Sequence, residues 1–149
     1  RMGHVMVIDI GKCGSKSWQA EGLKNAVTRH PGVNFVICHL LAPNGKQEEE
    51  LKRALEGLAL PNVWFDLASV PHNCMDASEP WKRAGAYVRL ARDLVGADKL
   101  LFGTDMPSAL KEAPYGDYVR WIREMEGLND AEREQILYQN AAKVYAGLS

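Results

Sequence analysis

Four short, strongly apolar runs alternate along this chain with segments of helical periodicity, and this alternation limits the folds open to it. The runs cover residues 4–10, 34–40, 62–67 and 99–105. Strands separated by helices form βαβ units, in which the strands lie parallel and the helices cover the sheet. The sequence therefore predicts an α/β fold built from four βα units.

A segment with helical spacing follows each run, over residues 17–29, 47–58, 81–95 and 115–125. In the second of these, Leu51, Leu55 and Leu58 recur three or four residues apart, opposite a charged face. Asn129 and Glu132 have the spacing of a capping box, which predicts a fifth helix, and residues 140–145 predict a short sixth. The four units are thus expected to be followed by extra C-terminal helices.

The 149 residues suit one domain, and no low-complexity linker divides residues 1–149. Four βα units can form a small doubly wound sheet or half of an eight-stranded barrel, and periodicity alone does not choose between them. A flavodoxin-like sheet would need a glycine-rich phosphate loop after its first strand. Gly11 and Gly14 only hint at such a loop.

Composition and charge limit the kinds of molecule that this protein is expected to bind. The formal net charge is -1, with 18 basic and 19 acidic residues interspersed, so no basic stripe favours nucleic acid or an anionic membrane. No apolar run approaches the roughly 20 residues that span a bilayer. The three cysteines lack C-x-x-C spacing, which argues against a disulfide framework and a zinc finger. We expect a cytoplasmic protein that acts on a small molecule.

Each apolar run has an ionisable residue at or near its carboxyl end: Asp9, His39, Asp66 and Asp105. In parallel α/β folds ligands bind at this edge of the sheet. A purely structural reading is open for each of them: the first three would be loop-bracing aspartates and a core histidine, and for Asp105 this reading is the least favoured. His72 lies in the loop over residues 70–80, where it is either a substrate contact or part of a flexible lid.

Four segments also carry a resemblance to a known family: residues 29–39 (RHPGVNFVICH), 61–66 (PNVWFD), 101–107 (LFGTDMP) and 140–148 (NAAKVYAGL). In their order and spacing they resemble the second half of the amidohydrolase-2 family. These are metal-dependent hydrolases and decarboxylases related to aminocarboxymuconate-semialdehyde decarboxylase. The resemblance implies a (β/α)8 barrel, of which this chain would form strands five to eight.

The resemblance also implies roles for individual residues. Asp105 and His39 would be catalytic, and both would bind a divalent metal ion, with zinc the ion expected. Asp9 stands where the family usually has a histidine, and we expect it as a third ligand or a substrate contact. Asp66 and His72 are the other expected substrate contacts.

The implied function is that of a metal-dependent hydrolase, decarboxylase or lactonase acting on a small carboxylated or cyclic substrate. The family's first-strand His-x-His is absent from this sequence, so activity is expected only with the missing half of the barrel. A half-barrel would leave two strand edges unpaired, which favours covering by a separate N-terminal half or by a second copy in an oligomer. The alternative is a non-catalytic truncated barrel that acts as a subunit or a small-ligand binding module.

Overall fold

The computed structural model describes residues 4–146, which form a four-stranded sheet flanked by helices. The strands are β1 (His4–Ile8), β2 (Val33–Ile37), β3 (Val63–Asp66) and β4 (Leu100–Leu101). They lie in the order β1-β2-β3-β4, and every neighbouring pair is parallel. The predicted α/β fold with a parallel sheet is confirmed.

The helices follow the predicted order. They are α1 (Ala20–Arg29), α2 (Glu48–Gly57), α3 (Pro80–Val95), α4 (Tyr115–Arg123), α5 (Asp130–Glu134) and α6 (Asn140–Tyr145), with a π-helical turn over Gln135–Gln139 that joins the last two. The predicted capping box is present, since the Asn129 and Glu132 side chains each accept from the other residue's backbone N–H. Between residues 4 and 146, no helix is both long and apolar enough to cross a membrane.

Side chains from alternate positions of the strands enter two different clusters. Phe35, Ile37 and Phe65 are buried in the main core, which also contains residues of α1, α2 and α3. Val36 and Trp64 belong to the opposite face, in a smaller cluster that includes Val144 of α6. Because successive strand residues point to opposite faces, the sheet is covered by α1 to α3 on one side and partly by α6 on the other.

Among the described residues β4 has no strand on its outer side, as expected for an edge, but a helical segment hydrogen-bonds to that edge. The Phe102 N–H donates to the carbonyl oxygen of Ile136 at 2.8 Å. The Asn140 side chain donates to the carbonyl oxygens of Leu100 and Ala97, each at 2.8 Å. The helical segment from α5 to α6 therefore satisfies backbone groups that a further strand would otherwise pair, because a tertiary contact from 40 residues away reaches this edge.

The fourth apolar run forms a much shorter strand than predicted. Residues 99–105 were expected to be extended, but β4 contains only Leu100 and Leu101. Beyond Leu101 the Phe102 N–H bonds to the Ile136 carbonyl instead of a strand, and Asp105 has a positive φ of 64°. The polar end of this run is therefore a loop, which suits it to carry an exposed side chain.

Candidate functional site

The chain turns sharply where β2 ends, and this turn positions His39. His39, Leu40, Leu41 and Ala42 have φ values of 59°, 50°, 63° and 49°, a left-handed run that non-glycine residues rarely adopt. The His39 N–H donates to Asp66 Oδ1 at 2.9 Å, and Leu40 and Leu41 are buried. Strain of this kind persists only where surrounding contacts determine it. The orientation of His39 is therefore imposed by the tertiary structure.

The imidazole of His39 is held through one ring nitrogen. Its Nδ1 lies 2.9 Å from the carbonyl oxygen of Ala68. A carbonyl only accepts, so Nδ1 carries the hydrogen, and in the neutral ring Nε2 keeps a lone pair. Nε2 lies 3.8 Å from Asp9 Oδ2, whose side chain is 55% exposed. The free nitrogen thus faces the carboxyl edge of the sheet.

Asp66 braces the same turn from β3. Its Oδ1 accepts from the N–H groups of His39 and Ala68, at 2.9 and 3.1 Å. Burial raises the pKa of this carboxyl above its ordinary value, and the backbone hydrogen bond from His39 offsets part of that rise. The contacts correspond to the structural reading that the sequence left open for Asp66.

Cys38 is a neighbour of this carboxylate that the sequence pattern did not single out. Burial, and then the charge of Asp66, raise the pKa of the Cys38 thiol to about 12. The thiol is therefore protonated at neutral pH and is a poor nucleophile. The one sequence feature that could have indicated Cys38 is its position next to His39.

Asp105 is fixed by a residue that the sequence also did not single out. The hydroxyl of Ser69 donates to Asp105 Oδ2 at 2.6 Å. Ser69 is buried, and both residues have positive φ, 57° for Ser69 and 64° for Asp105. The one sequence signal for Ser69 is its place three residues after Asp66. Since Ala68 holds His39, adjacent residues of the loop after β3 anchor the two side chains.

Gly103 allows the exit of β4 to come this close to the same loop. A Cβ at this position would lie 3.1 Å from the Ala68 Cβ and 3.3 Å from the Ala68 nitrogen. Such distances are tighter than ordinary van der Waals contact, so a side chain here would require a small shift of the Ala68 loop. The glycine in Phe-Gly-Thr-Asp is thus a close-approach residue.

Two of the predicted site residues, Asp9 and His72, make contacts of a different kind. Asp9 Oδ1 accepts from the Gly11 N–H at 2.8 Å, so one oxygen braces the loop after β1. The exposed His72 ring contacts the Glu112 carboxylate and lines a depression whose lining does not include Asp105. The structure therefore brings Asp9 to His39, joins Asp66 to the His39 backbone, and places His72 in a separate pocket.

The predicted metal ligands can be tested against these positions. Within residues 4–146, no three His, Cys, Asp or Glu side chains are grouped to hold one ion. Asp9 and His39 form a pair, whereas Asp105 is directed to Ser69. Catalytic zinc sites take about three protein ligands. The predicted set of Asp105, His39 and Asp9 is not assembled here, and the donors present fit only part of such a site.

Residues 8–147 match the family model described as amidohydrolase. The chain belongs to the amidohydrolase family. A relative by sequence is the L-fucono-1,5-lactonase of Burkholderia ambifaria, 31% identical over 102 residues. The alignment covers 63% of this chain and 33% of the lactonase.

Solved structures share the fold of this amidohydrolase. An amidohydrolase from Burkholderia multivorans with bound zinc superposes with a TM-score of 0.79 at 23% identity, over 94% of this chain and 52% of that one. A putative 2-pyrone-4,6-dicarboxylic acid hydrolase from Pseudomonas putida gives 0.70 at 17% identity, over 98% and 63%. The chain therefore spans about half the length of the Burkholderia multivorans structure and a third of the lactonase.

Proposed function

We propose that this amidohydrolase forms part of a metal-dependent hydrolase, lactonase or decarboxylase for a small carboxylated or cyclic substrate. The observation that carries the proposal is the shared anchoring of His39 and Asp105 by Ala68 and Ser69. Structural bracing alone gives no reason for an exposed carboxylate and a free imidazole nitrogen to be held by consecutive residues.

The residues suggest a division of labour. The second oxygen of Asp105 is available to take a proton from an attacking water, as a general base does. Nε2 of His39 has one of two roles: in the neutral ring it would bind the metal ion, and in a protonated ring, without a metal on His39, it would donate to the oxygen of the scissile carbonyl. The half-exposed Asp9 carboxylate lies beside Nε2, where it would contact the substrate or share the metal ion with His39.

A divalent metal, with zinc the ion we expect, is part of the proposal. Asp9 and His39 would supply two of its ligands, and the others would come from outside the described residues. When bound at this edge, the ion would supply Lewis-acid polarisation of an oxygen. A crystal structure of the Burkholderia multivorans amidohydrolase contains bound zinc, which supports this choice of ion.

We also propose that the working unit is a complete (β/α)8 barrel, in which this chain supplies four of the units. The partial coverage of the relatives supports this, as do the exposed Met6 and Val7 on β1, at 49% and 55%. The remaining strands would come from a separate N-terminal half or from a second copy. A strand that pairs with β4 would have to replace the Phe102–Ile136 hydrogen bond.

The proposal is tested by metal analysis and turnover of the full-length protein. Substrates for the assay are L-fucono-1,5-lactone and 2-pyrone-4,6-dicarboxylate, from the names of the two relatives described above. A third is 5-carboxyvanillate, from the name of a structurally similar decarboxylase of Sphingomonas paucimobilis. We expect Asp105→Asn and His39→Asn each to lower kcat/KM by about 10²-fold or more, as loss of an acid–base group does. Asp98→Asn, at the exposed opposite edge, is the matched control.

Two results would overturn this function. One is unchanged turnover in Asp105→Asn. The other is a folded, metal-supplemented full-length protein that turns over no lactone or aromatic acid. The second result would leave the non-catalytic subunit or small-ligand binding module as the interpretation.

A further inference from the structure

A depression of about 460 Å³ has a lining that includes none of Asp9, His39 and Asp105. It is lined by residues of the loops that follow β1, β2 and β3, among them Lys12, Lys46, His72 and Asn73. Small-molecule pockets typically have about 300–1,000 Å³, so the space suits a small ligand. The lining is mostly polar, which indicates a charged or strongly hydrogen-bonding group.

The two loops that carry the lysines are hydrogen-bonded to each other. The Asn44 side chain donates to the Cys13 carbonyl at 2.9 Å and to Gln47 Oε1 at 3.0 Å, and its own oxygen accepts from the Lys46 N–H at 3.1 Å. Gln47 Nε2 donates to the Gly14 carbonyl at 3.3 Å. The backbones beside Lys12 and Lys46 are therefore fixed relative to one another.

Gly14 shows how tightly the loops are packed. It has a φ of 69°, and a Cβ there would lie 2.3 Å from the Gln47 side chain. Glycine suits this left-handed conformation, and a side chain here would displace the Gln47 amide from its contacts. Specific contacts between the two loops therefore fix the backbone that carries Lys12 and Lys46.

The charges in the depression are not balanced by protein groups. Among residues 4–146, neither Lys12 nor Lys46 takes part in an ion pair, although both are exposed. Asp76 is the one acidic residue of the lining, and His72 contacts Glu112. Two ammonium groups against one carboxylate give the lining a net positive charge, which favours an anion.

We propose that this depression binds the oxyanion group of a small molecule, a carboxylate or a phosphate, between Lys12 and Lys46. Ammonium donors form charge-assisted hydrogen bonds with either oxyanion, and Asn73 adds an amide donor. That the oxyanion belongs to a substrate whose other end reaches Asp105 rests on the proposed function. The binding itself does not depend on it.

The test is a titration of the full-length protein, followed by amide NMR at constant ionic strength. Inorganic phosphate is one probe and succinate the other, each replacing chloride, so the tighter of the two identifies the source of the oxyanion. We expect saturable shifts at residues 12–14 and 44–47. Lys12→Gln and Lys46→Gln should each weaken binding about tenfold, as loss of one charge-assisted hydrogen bond does.

Lys52→Gln is the matched control, since Lys52 is exposed on α2 but does not line the depression. Its affinity for both probes should equal that of the wild type. Non-saturable shifts, or equal weakening in all three variants, would show general charge screening and overturn the proposal. Turnover without anion binding refutes this inference alone, whereas anion binding without turnover refutes only the proposed function.

Discussion

At the scale of single residues, contacts from the loop after β3 hold the site together and impose left-handed backbone conformations on it. His39 and Asp105 both have left-handed backbones, and each side chain is anchored by the loop after β3. The anchors are Ala68 and Ser69, while Asp66 secures both the His39 and Ala68 amides. Substitutions in this loop should therefore alter the candidate site even where the substituted residue does not itself contact a ligand.

Ser69→Ala is expected to release the Asp105 carboxylate. Loss of the 2.6 Å hydrogen bond should lower the free energy of unfolding by about 1 kcal/mol, and kcat should fall more than KM changes. Urea denaturation and steady-state kinetics measure the two effects. Ser78→Ala, at an exposed position, is the control and should change neither. A variant as stable and active as the wild type would show that Ser69 does not position Asp105.

Asp66→Asn is expected to change the pH dependence of stability. Burial raises the folded-state pKa of Asp66 above its unfolded value of about 4, so ionisation of this carboxyl opposes folding. The wild type should therefore lose stability relative to Asp66→Asn as the pH rises from about 4 towards the folded-state pKa. Denaturation at pH 4 and pH 7 measures the difference between the two proteins.

Asp66→Ala is the companion variant. It removes the acceptor for the His39 and Ala68 amides and should be less stable than Asp66→Asn at both pH values. If the wild type gains stability relative to Asp66→Asn as the pH rises, the sign of the pKa shift is wrong.

At the scale of elements, the helical segment from α5 to α6 does more than add a last layer. Its π-helical turn presents the Ile136 carbonyl to Phe102, and Asn140 at the start of α6 bonds two carbonyls at the start of β4. Val144 then packs with Val36 and Trp64 on the face opposite the main core. One segment thus covers an edge and part of a face of the sheet.

Asn140→Ala should weaken this attachment. Asn140 is buried, so its loss leaves the Ala97 and Leu100 carbonyls without their donor and should cost about 2 kcal/mol. Thermal or urea unfolding provides the measurement. Gln139→Ala, one residue earlier and exposed, should cost less than about 0.5 kcal/mol. Equal effects of the two changes would contradict an edge-sealing role for Asn140.

At the scale of the whole molecule, the sheet has unlike edges. The β4 edge is hydrogen-bonded to the segment from α5 to α6, whereas β1, within residues 4–146, pairs only with β2 and exposes Met6 and Val7. An exposed apolar edge strand is a site for further strand pairing. This asymmetry makes β1 the edge at which additional strands are expected to join.

Hydrogen exchange tests that expectation. In residues 1–149 by themselves, the β1 amides should exchange faster than those of β2, because an edge strand opens locally at lower free energy. If the proposed barrel is assembled, with neighbouring strands present, β1 protection should rise to that of β2. β2 serves as the internal reference in both samples. A β1 strand as protected as β2 in the short chain would mean that its edge needs no partner.

The sequence indicated those candidate residues whose own position, at the end of an apolar run or in a motif, is informative. The ends of the apolar runs led to Asp9, His39 and Asp66, and the Phe-Gly-Thr-Asp motif led to Asp105. Ser69 and Cys38 were missed because a serine or a cysteine that follows a strand has no distinguishing pattern in the sequence. The roles of the four carboxyl-edge residues in catalysis and metal binding stay predictions.

The sequence by itself determined the local features: the alternation of strand and helix, the parallel sheet that this alternation requires, and the capping box of α5. Each depends on periodicity or on residues at most four apart. Only the tertiary structure decided the Ser69–Asp105 bond and the covering of β4 by Asn140, which join residues 36 and 40 positions apart. Such contacts depend on how elements pack in space, and a side chain's sequence neighbours do not reveal a partner brought near by folding.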